Sequence, residues 1–586
     1  MNKLLKHTTK NKLLFFFAGF SFLMLNDSCT GNLDVEPIDI LSEERIFQEE
    51  SLLTSYMATL YDAIPMDEFG TTTSGSTDES PGGIGDGSQW WGYDHVRRVN
   101  NLMEKLPAAG INEEAKLALM GEAKFIRAYY YFSMVKRYGG VPIISEVQNY
   151  TPGADITELE VPRNTEKEAY DFIATDLDEA ASLLPETNIR GRATKHVALA
   201  LKSRAMLYAA SSAEYFPVQM DGIVGIPASE ANNYWQAAFN AAEAVITSGQ
   251  YSLYKQNPNK EANFQELFLA EDNPEAILIK DFSYPRKTHN YDRNIIPYGV
   301  RGPDGYSSGG TPTVRLVEQF ERIDGSSGTL NIGTPSDPVY YNHPTDLFSD
   351  YDPRLLATVI VPFGDWRGEE IDVQAGLYDQ GNKVEAGDYN ALYNIETQAI
   401  DDNGTLHVVG QSGFGGSEKT NTGFYLRKYL DPSLERSQVR TLGSSQHWIA
   451  IRYAEVLLNY AEAAVELGNI QEAKEKINMI RSRAGIVPLE DAEVTVEIVR
   501  HERLVELAFE SHRWWDYRRW RVADEIFNNM AVRQLRPYYD VQEDAYRFEI
   551  DYIPQSYKTF NVRAYYVPIP ADELAKNPHL VQNPNY

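Results

Sequence analysis

Cysteine is almost missing: 586 residues hold a single one, Cys29, so no intramolecular disulfide can form. Basic charge is also scarce. Lys and Arg number 54 against 84 Asp and Glu, a formal net charge of −30, which repels a phosphate backbone and argues against a nucleic-acid partner. A neutral or weakly charged ligand is easier to accommodate, although net charge leaves room for a local basic patch. Beyond the amino-terminal segment, charged and polar residues interrupt every apolar stretch before the ~20 residues needed to span a bilayer. No Pro-rich, Gly/Ser-rich or charge-block linker divides the chain, so one body with long excursions is expected.

Signatures of chemistry are missing too. The ten histidines include no two at metal-ligand spacing, and His501-Glu502 lacks the second histidine of a zinc-protease helix. Asp346, Asp350 and Asp352 lack the regular spacing of a calcium loop and read as a solvated segment. Gly305-Tyr306-Ser307-Ser308-Gly309 matches the bare pattern of a nucleophile elbow, but Pro303 and Pro312 mark a turn-rich loop where that motif needs a strand running into a helix. No dinucleotide or P-loop glycine pattern occurs in a strand-to-helix context. The expectation is no metal, no cofactor and no catalytic group.

What is present begins at the amino terminus. Lys3, Lys6, Lys10 and Lys12 precede an apolar run over residues 13–25, and Asn26-Asp27-Ser28 leads to Cys29. That is the layout of a signal peptide, residues 1–28, ending at a cysteine. Lipid attachment at Cys29 accounts for its solitude, the alternative being an ordinary signal peptide with an incidental thiol nearby. An acyl chain would anchor the chain to a membrane without spanning it.

Helical periodicity recurs in consecutive pairs separated by short breaks. Residues 112–138 place Ala123, Ile126, Tyr130 and Val135 near one face and stop at Gly139-Gly140. Thr165 and Glu168 form a capping-box pattern before the stripe Tyr170, Ile173, Leu177 and Ala180, against which residues 193–210 should pack. Residues 233–247 repeat the design. Over residues 448–485 one apolar helix ends at Gly468 and a second follows at once, a pairing of the tetratricopeptide type. The predicted fold is mainly α: tetratricopeptide-like helix pairs forming a scaffold, with long irregular loops and minor β structure. Trp235, Trp448, Trp514, Trp515 and Trp520 belong to apolar stripes and are assigned to the core. The last three are placed with Glu510 and Arg513 on one helix. Glu502, Arg503, Glu510 and Arg513 are expected to pair among themselves or cap helices, because buried charges need partners.

Five blocks in order carry a family resemblance. Cys29 with Leu33-Asp34-Val35-Glu36-Pro37 is the first, and Phe125-Ile126-Arg127-Ala128-Tyr129-Tyr130 with Tyr138-Gly139-Gly140-Val141-Pro142 the second. Gly191-Arg192-Ala193-Thr194 leads into the third. The fourth runs from Arg452-Tyr453-Ala454-Glu455 to Arg513-Trp514-Trp515-Asp516, and Pro568-Ile569-Pro570 with Gln582-Asn583-Pro584 forms the last. Together they resemble the SusD/RagB family of outer-membrane lipoproteins. The resemblance implies an amino-terminal region over 29–255 with the first helix pairs and a carboxy-terminal region over 256–586 with inserted loops and the last pair. It also implies a non-enzymatic, cell-surface glycan-binding role, with delivery of oligosaccharide or polysaccharide to a SusC-like TonB-dependent transporter. Capture of peptide or another nutrient for such a transporter is the alternative, and a helical glycoside hydrolase a further one.

A sugar ring presents C–H bonds on its faces and hydroxyls at its rim, so a site needs aromatic planes edged by polar groups. Of the eight tryptophans, Trp90, Trp91 and Trp366 fall in irregular sequence and are the candidate platforms. The loop over 69–89 offers Asp78, Glu79 and Asp86 as hydroxyl partners. The resemblance implicates this early loop together with a later segment, here 282–306, which contributes Tyr284, Tyr291, Arg293 and Asn294 as ligand-binding candidates alongside Arg286, Tyr298 and Tyr306.

Overall fold

The computed structural model describes residues 43–69, 74–84, 89–153, 155–416 and 418–586. Cys29, the signal peptide and Asp86 lie outside the described residues. No helix among those described is long and apolar enough to cross a membrane.

The architecture is mainly helical. The principal helices are α1 (Glu50–Asp62), α2 (Tyr93–Lys105), α3 (Glu113–Tyr138), α4 (Glu166–Leu183), α5 (Lys195–Tyr215), α6 (Ala231–Thr247), α7 (Tyr453–Glu466), α8 (Ile470–Ala484), α9 (Val496–Glu506) and α10 (Arg513–Arg519). Neighbours along the chain pack on one another from α3 through α6, and α7 pairs with α8. Helix α6 also packs on α7, which joins the early and late pairs into one stack. Local chemistry sets the boundaries. Asn112 accepts the Ala115 N–H to start α3, and Gly139, with φ 76°, ends it. The capping box of α4 forms as the sequence predicts, the Thr165 hydroxyl accepting the Glu168 N–H at 3.1 Å while the Glu168 carboxylate accepts the Thr165 N–H at 2.8 Å. Gly468, with φ 81°, separates α7 from α8.

Helix α3 is buried all round from Leu119 onward, not along one stripe. It lies between α2, α4 and the α1 turn, so its charged residues need internal partners. Arg127 supplies a bidentate pair to Asp176 at 2.7 and 2.8 Å, and Glu122 accepts Arg192.

Two sequence expectations are corrected. Trp448 is not helical: Trp448–Arg452 is a buried strand paired antiparallel with Ala276–Lys280, and α7 begins only at Tyr453. The run Trp-Ile-Ala-Ile is apolar at every position and equally compatible with a fully buried strand. Glu510 does not share a helix with Arg513, because Phe509 and Ser511 take positive φ values of 59° and 64° and break the chain before α10. All five tryptophans assigned to the core are buried there.

Among the described residues the largest sheet has four strands. The long antiparallel hairpin Met530–Asp540 and Ala545–Lys558 is extended by Gly376–Asp379, which pairs parallel to its first strand, and then by Asn382–Val384. Beneath the irregular middle of the chain lies a buried ionic cluster. Arg452 bonds Glu275, Glu506 and Glu510; Arg354 bonds Asp352, Glu502 and Glu506; Arg483 reaches Glu275 and Glu506; Lys428 bonds Glu510.

Candidate functional site

The two regions singled out in the sequence do meet, but through a residue the sequence reading passed over. Phe69, at the end of the turn after α1, sits with its ring centroid 4.2 Å from His289, 4.8 Å from Tyr291 and 5.2 Å from Trp448. Its φ of 47° and the 53° of Asp67 are left-handed values that non-glycine residues adopt infrequently. The conformation is held from below. Asp67 accepts Lys136 at 3.2 Å and the Trp515 indole N–H at 3.1 Å, and its own carbonyl accepts the Ser511 hydroxyl. Burial alone would raise the Asp67 carboxyl, but Lys136 and Arg137 outweigh it and hold the group below its usual range.

The opposite wall is residues 282–294. Ser283 and Lys287 exchange backbone hydrogen bonds of 2.8 and 2.9 Å to close a short turn carrying Tyr284 and Arg286, and His289 pairs its backbone with Ser444. The Asp292 carboxylate accepts the Asp431 N–H and the Gln446 amide, tying this segment to the 431–446 stretch behind it. The result is a cleft of about 410 Å³ lined by Asp62, Glu68, Phe69, Lys280, Phe282 and Tyr291 among others. Its charges are mutually satisfied: Lys287 lies 2.7 Å from Asp62, and Lys280 pairs with Glu68. The Asp62 carboxyl is lowered, chiefly by the Lys287 hydrogen bond, and burial takes the His289 imidazole down to about 4, so it is neutral at pH 7. The aromatic floor of Phe69, Phe282, His289 and Tyr291 thus carries no charge of its own and is bordered by two lysine–carboxylate pairs, with Asn290 and Asn294 beside it.

Two exposed tyrosines stand next to lining residues and form the rim, each joined to an arginine: Tyr284 lies in the turn between Phe282 and Lys287, and Tyr306 packs on Arg293, the neighbour of Asn294. Tyr284 is 56% exposed and its hydroxyl accepts Arg440 at 2.8 Å. Tyr306 is 54% exposed, with the Arg293 guanidinium 3.6 Å from its ring centroid.

The remaining candidates separate. Tyr291 lines the cleft with its ring, while its hydroxyl is turned inward and donates to the Lys428 carbonyl at 2.6 Å. Asp78 is corrected to a structural anion: 1% exposed, it is bonded by Arg315 at 2.9 Å, Arg513 at 3.2 Å and the Tyr517 hydroxyl at 3.1 Å, which leaves no face for a sugar. Glu79 is likewise buried and accepts the Phe509 N–H. Trp90 and Trp91 do not line the cleft. Trp90 stacks on His95 at 6.0 Å, whereas Trp91 packs edge-on against Tyr138 and borders a separate groove of about 280 Å³ with Tyr93, Pro142 and Leu159. Trp366 is 4% exposed and walls a third cavity, about 550 Å³, with Tyr254, Glu266 and Arg427. The candidate residues thus fall in three separate places, and among the described residues the Phe69–Tyr291 cleft is the one that joins both predicted regions. Among the described residues no group of His, Cys, Asp and Glu is placed to hold a metal ion.

A rigid stack of helix pairs that carries aromatic clefts on its irregular segments defines a class of scaffold for ligand display. Comparison with known proteins identifies which. The SusD family model matches residues 274–586, and a second model, described as starch-binding associating with outer membrane, matches residues 87–207; the chain belongs to the SusD family. A SusD-like protein P38 of Formosa agariphila is 24% identical over 555 residues, covering 88% of this chain and 93% of that one. Among solved structures, a SusD-like protein from Bacteroides fragilis aligns over 94% of this chain and 100% of its own, with 26% identity and a TM-score of 0.68. A laminarin-binding SusD-like protein shares the fold at 19% identity and a TM-score of 0.57, over 92% of this chain and 100% of its own.

Proposed function

We propose that this chain binds an oligosaccharide or polysaccharide in the Phe69–Tyr291 cleft and passes it to a SusC-like TonB-dependent transporter, held at the outer-membrane surface by a lipid on Cys29. The observation that carries the reading is the meeting of two segments, distant in sequence, around an open uncharged aromatic floor with tyrosines at the rim. Flat rings take up the C–H faces of sugars, and the edging amides and guanidinia meet hydroxyls. Family membership and the laminarin-binding relative favour a carbohydrate over other nutrients.

The same geometry supports binding without hydrolysis. A glycosidase needs one carboxyl raised so that it can donate a proton and a second poised opposite it. The cleft's own acids, Asp62 and Glu68, are each paired with a lysine, and Asp62 is lowered. Isothermal titration against a glycan panel tests the proposal, together with product analysis after long incubation. Heat with at least one glycan and an unchanged ligand are expected. Silence toward the whole panel, or turnover lost on changing one carboxylate, overturns it.

A further inference from the structure

We infer that the saccharide taken by this site carries anionic substituents, carboxylate or sulfate, and that Arg286 and Arg440 on the rim select for them; the inference rests on the glycan-binding reading above. The chain is acidic as a whole, but its charge is unevenly placed. Leaving out Lys428, which is buried in the ionic cluster, and Arg427, which walls the Trp366 cavity, the two stretches that build the rim, 282–306 and 418–442, hold seven basic residues against five acidic ones, the reverse of the 54 to 84 of the full chain.

Those five carboxylates are already engaged. Asp292 accepts Asp431 N–H and Gln446, Asp304 accepts the Thr441 N–H and hydroxyl and lies 3.4 Å from Arg293, and Glu418 is paired with Arg301. Asp431 accepts Ser433, and Glu435 lies 3.6 Å from Arg367. Arg286 and Arg440 are both exposed, and among the described residues neither has a carboxylate within ion-pair distance. They share one locus. Arg440 donates to the Tyr284 hydroxyl at 2.8 Å, and Arg286 follows Tyr284 by two residues in the turn closed by Ser283 and Lys287.

A planar guanidinium offers two parallel N–H groups that match the paired oxygens of a carboxylate or sulfate, and the exposed Tyr284 ring beside it supplies a stacking face for the sugar that bears them. Repulsion by the acidic remainder does not cancel this. Exposed charges are screened beyond about 8 Å at physiological salt, so the potential at the rim is set by its own groups.

The test titrates the detergent-solubilised full chain with a glycan panel that includes a uronate polymer free of sulfate, a sulfated galactan free of uronate and a neutral β-glucan, at about 0.05 and about 0.5 M salt. At least one acidic polymer is expected to bind tenfold or more tighter than any neutral glycan and to weaken at high salt; the uronate and sulfate arms tell which anion is read. The double variant Arg286→Ala/Arg440→Ala should lose that preference while keeping its melting temperature. A neutral glycan bound as tightly as the acidic ones, or an acidic polymer held equally by the double variant, overturns the inference and leaves glycan binding standing. Binding to no member of the panel removes both.

Discussion

Replacing Glu506 by glutamine tests the frame from which the cleft is hung. Its carboxylate is fully buried, with Arg452 donating to Oε1 at 2.6 Å, Arg354 to Oε2 at 2.8 Å, and Arg483 bonded to Oε1 as well. The surrounding cluster joins five cations, Arg354, Lys428, Arg452, Arg481 and Arg483, to five buried carboxylates, Asp352, Glu275, Glu502, Glu506 and Glu510, with Glu321 at its solvent edge. Glutamine keeps the shape but removes one negative charge, leaving an uncompensated cation in the interior. Breaking a buried pair from one side costs about 3–5 kcal/mol. Denaturant unfolding at pH 7, checked for reversibility, should show a loss of that size. Acid sharpens the test. Burial by itself would raise the Glu506 carboxyl, but Arg483, Arg452 and Arg354 overcome it and hold the group well below its ordinary 4.5. A depressed native value means that the stabilisation is complete above the unfolded value near 4.5 and fades as pH falls toward the native one. The gap between wild type and Glu506→Gln should therefore be constant from neutrality to about pH 5 and narrow below it. A Glu506→Gln protein within about 1 kcal/mol of wild type at pH 7 would refute the claim that Arg354, Arg452 and Arg483 depend on the Glu506 charge.

Trp515→Ala should lower unfolding free energy by about 3–5 kcal/mol, since the ring is 3% exposed and its N–H holds Asp67, and glycan affinity should fall with it because Asp67 sets the Phe69 turn. Tyr306→Ala should leave thermal stability unchanged and weaken glycan binding by about 1 kcal/mol, roughly fivefold by titration; an unchanged affinity would place the ligand elsewhere. Trp90→Ala should leave affinity within about twofold, as a ring outside the cleft requires, whereas a tenfold loss would make Trp90 a platform of its own. Asp78→Asn should destabilise by about 3 kcal/mol in denaturant titration, because it strips the carboxylate from Arg513 and Arg315; selective loss of glycan binding without destabilisation would restore it as a ligand residue.

Where the sequence was legible, the information was local. Asn112, Thr165 with Glu168, Gly139 and Gly468 each act within one helical turn, and the helices they bound start or stop as read. The Trp448 strand was misread because an unbroken apolar run has no period to separate strand from helix. The site failed to declare itself for a different reason. Asp78 looked like a loop acid because its partner Arg513 stands 435 residues away, and no spacing rule reaches across that distance. Trp366 looked exposed because it lay in irregular sequence, yet its side chain is packed into the core at 4% exposure.

Phe69 shows what a search for tryptophan alone passes over. A binding ring needs a face left partly open and a backbone that delivers it to the right neighbours, and neither property is a matter of ring size. Here delivery depends on two left-handed residues, Asp67 and Phe69, fixed by contacts to Lys136 on α3, Ser511 before α10 and Trp515 within it. Those contacts belong to the helical blocks that carry the family resemblance, while the rings and arginines they position belong to the irregular segments between. The helical frame can therefore stay constant while the rim is rewritten, so one architecture can present different chemistry to different saccharides. Charge at the rim, set by a few arginines such as Arg286 and Arg440, is the simplest variable for such rewriting, because changing it disturbs no buried pair.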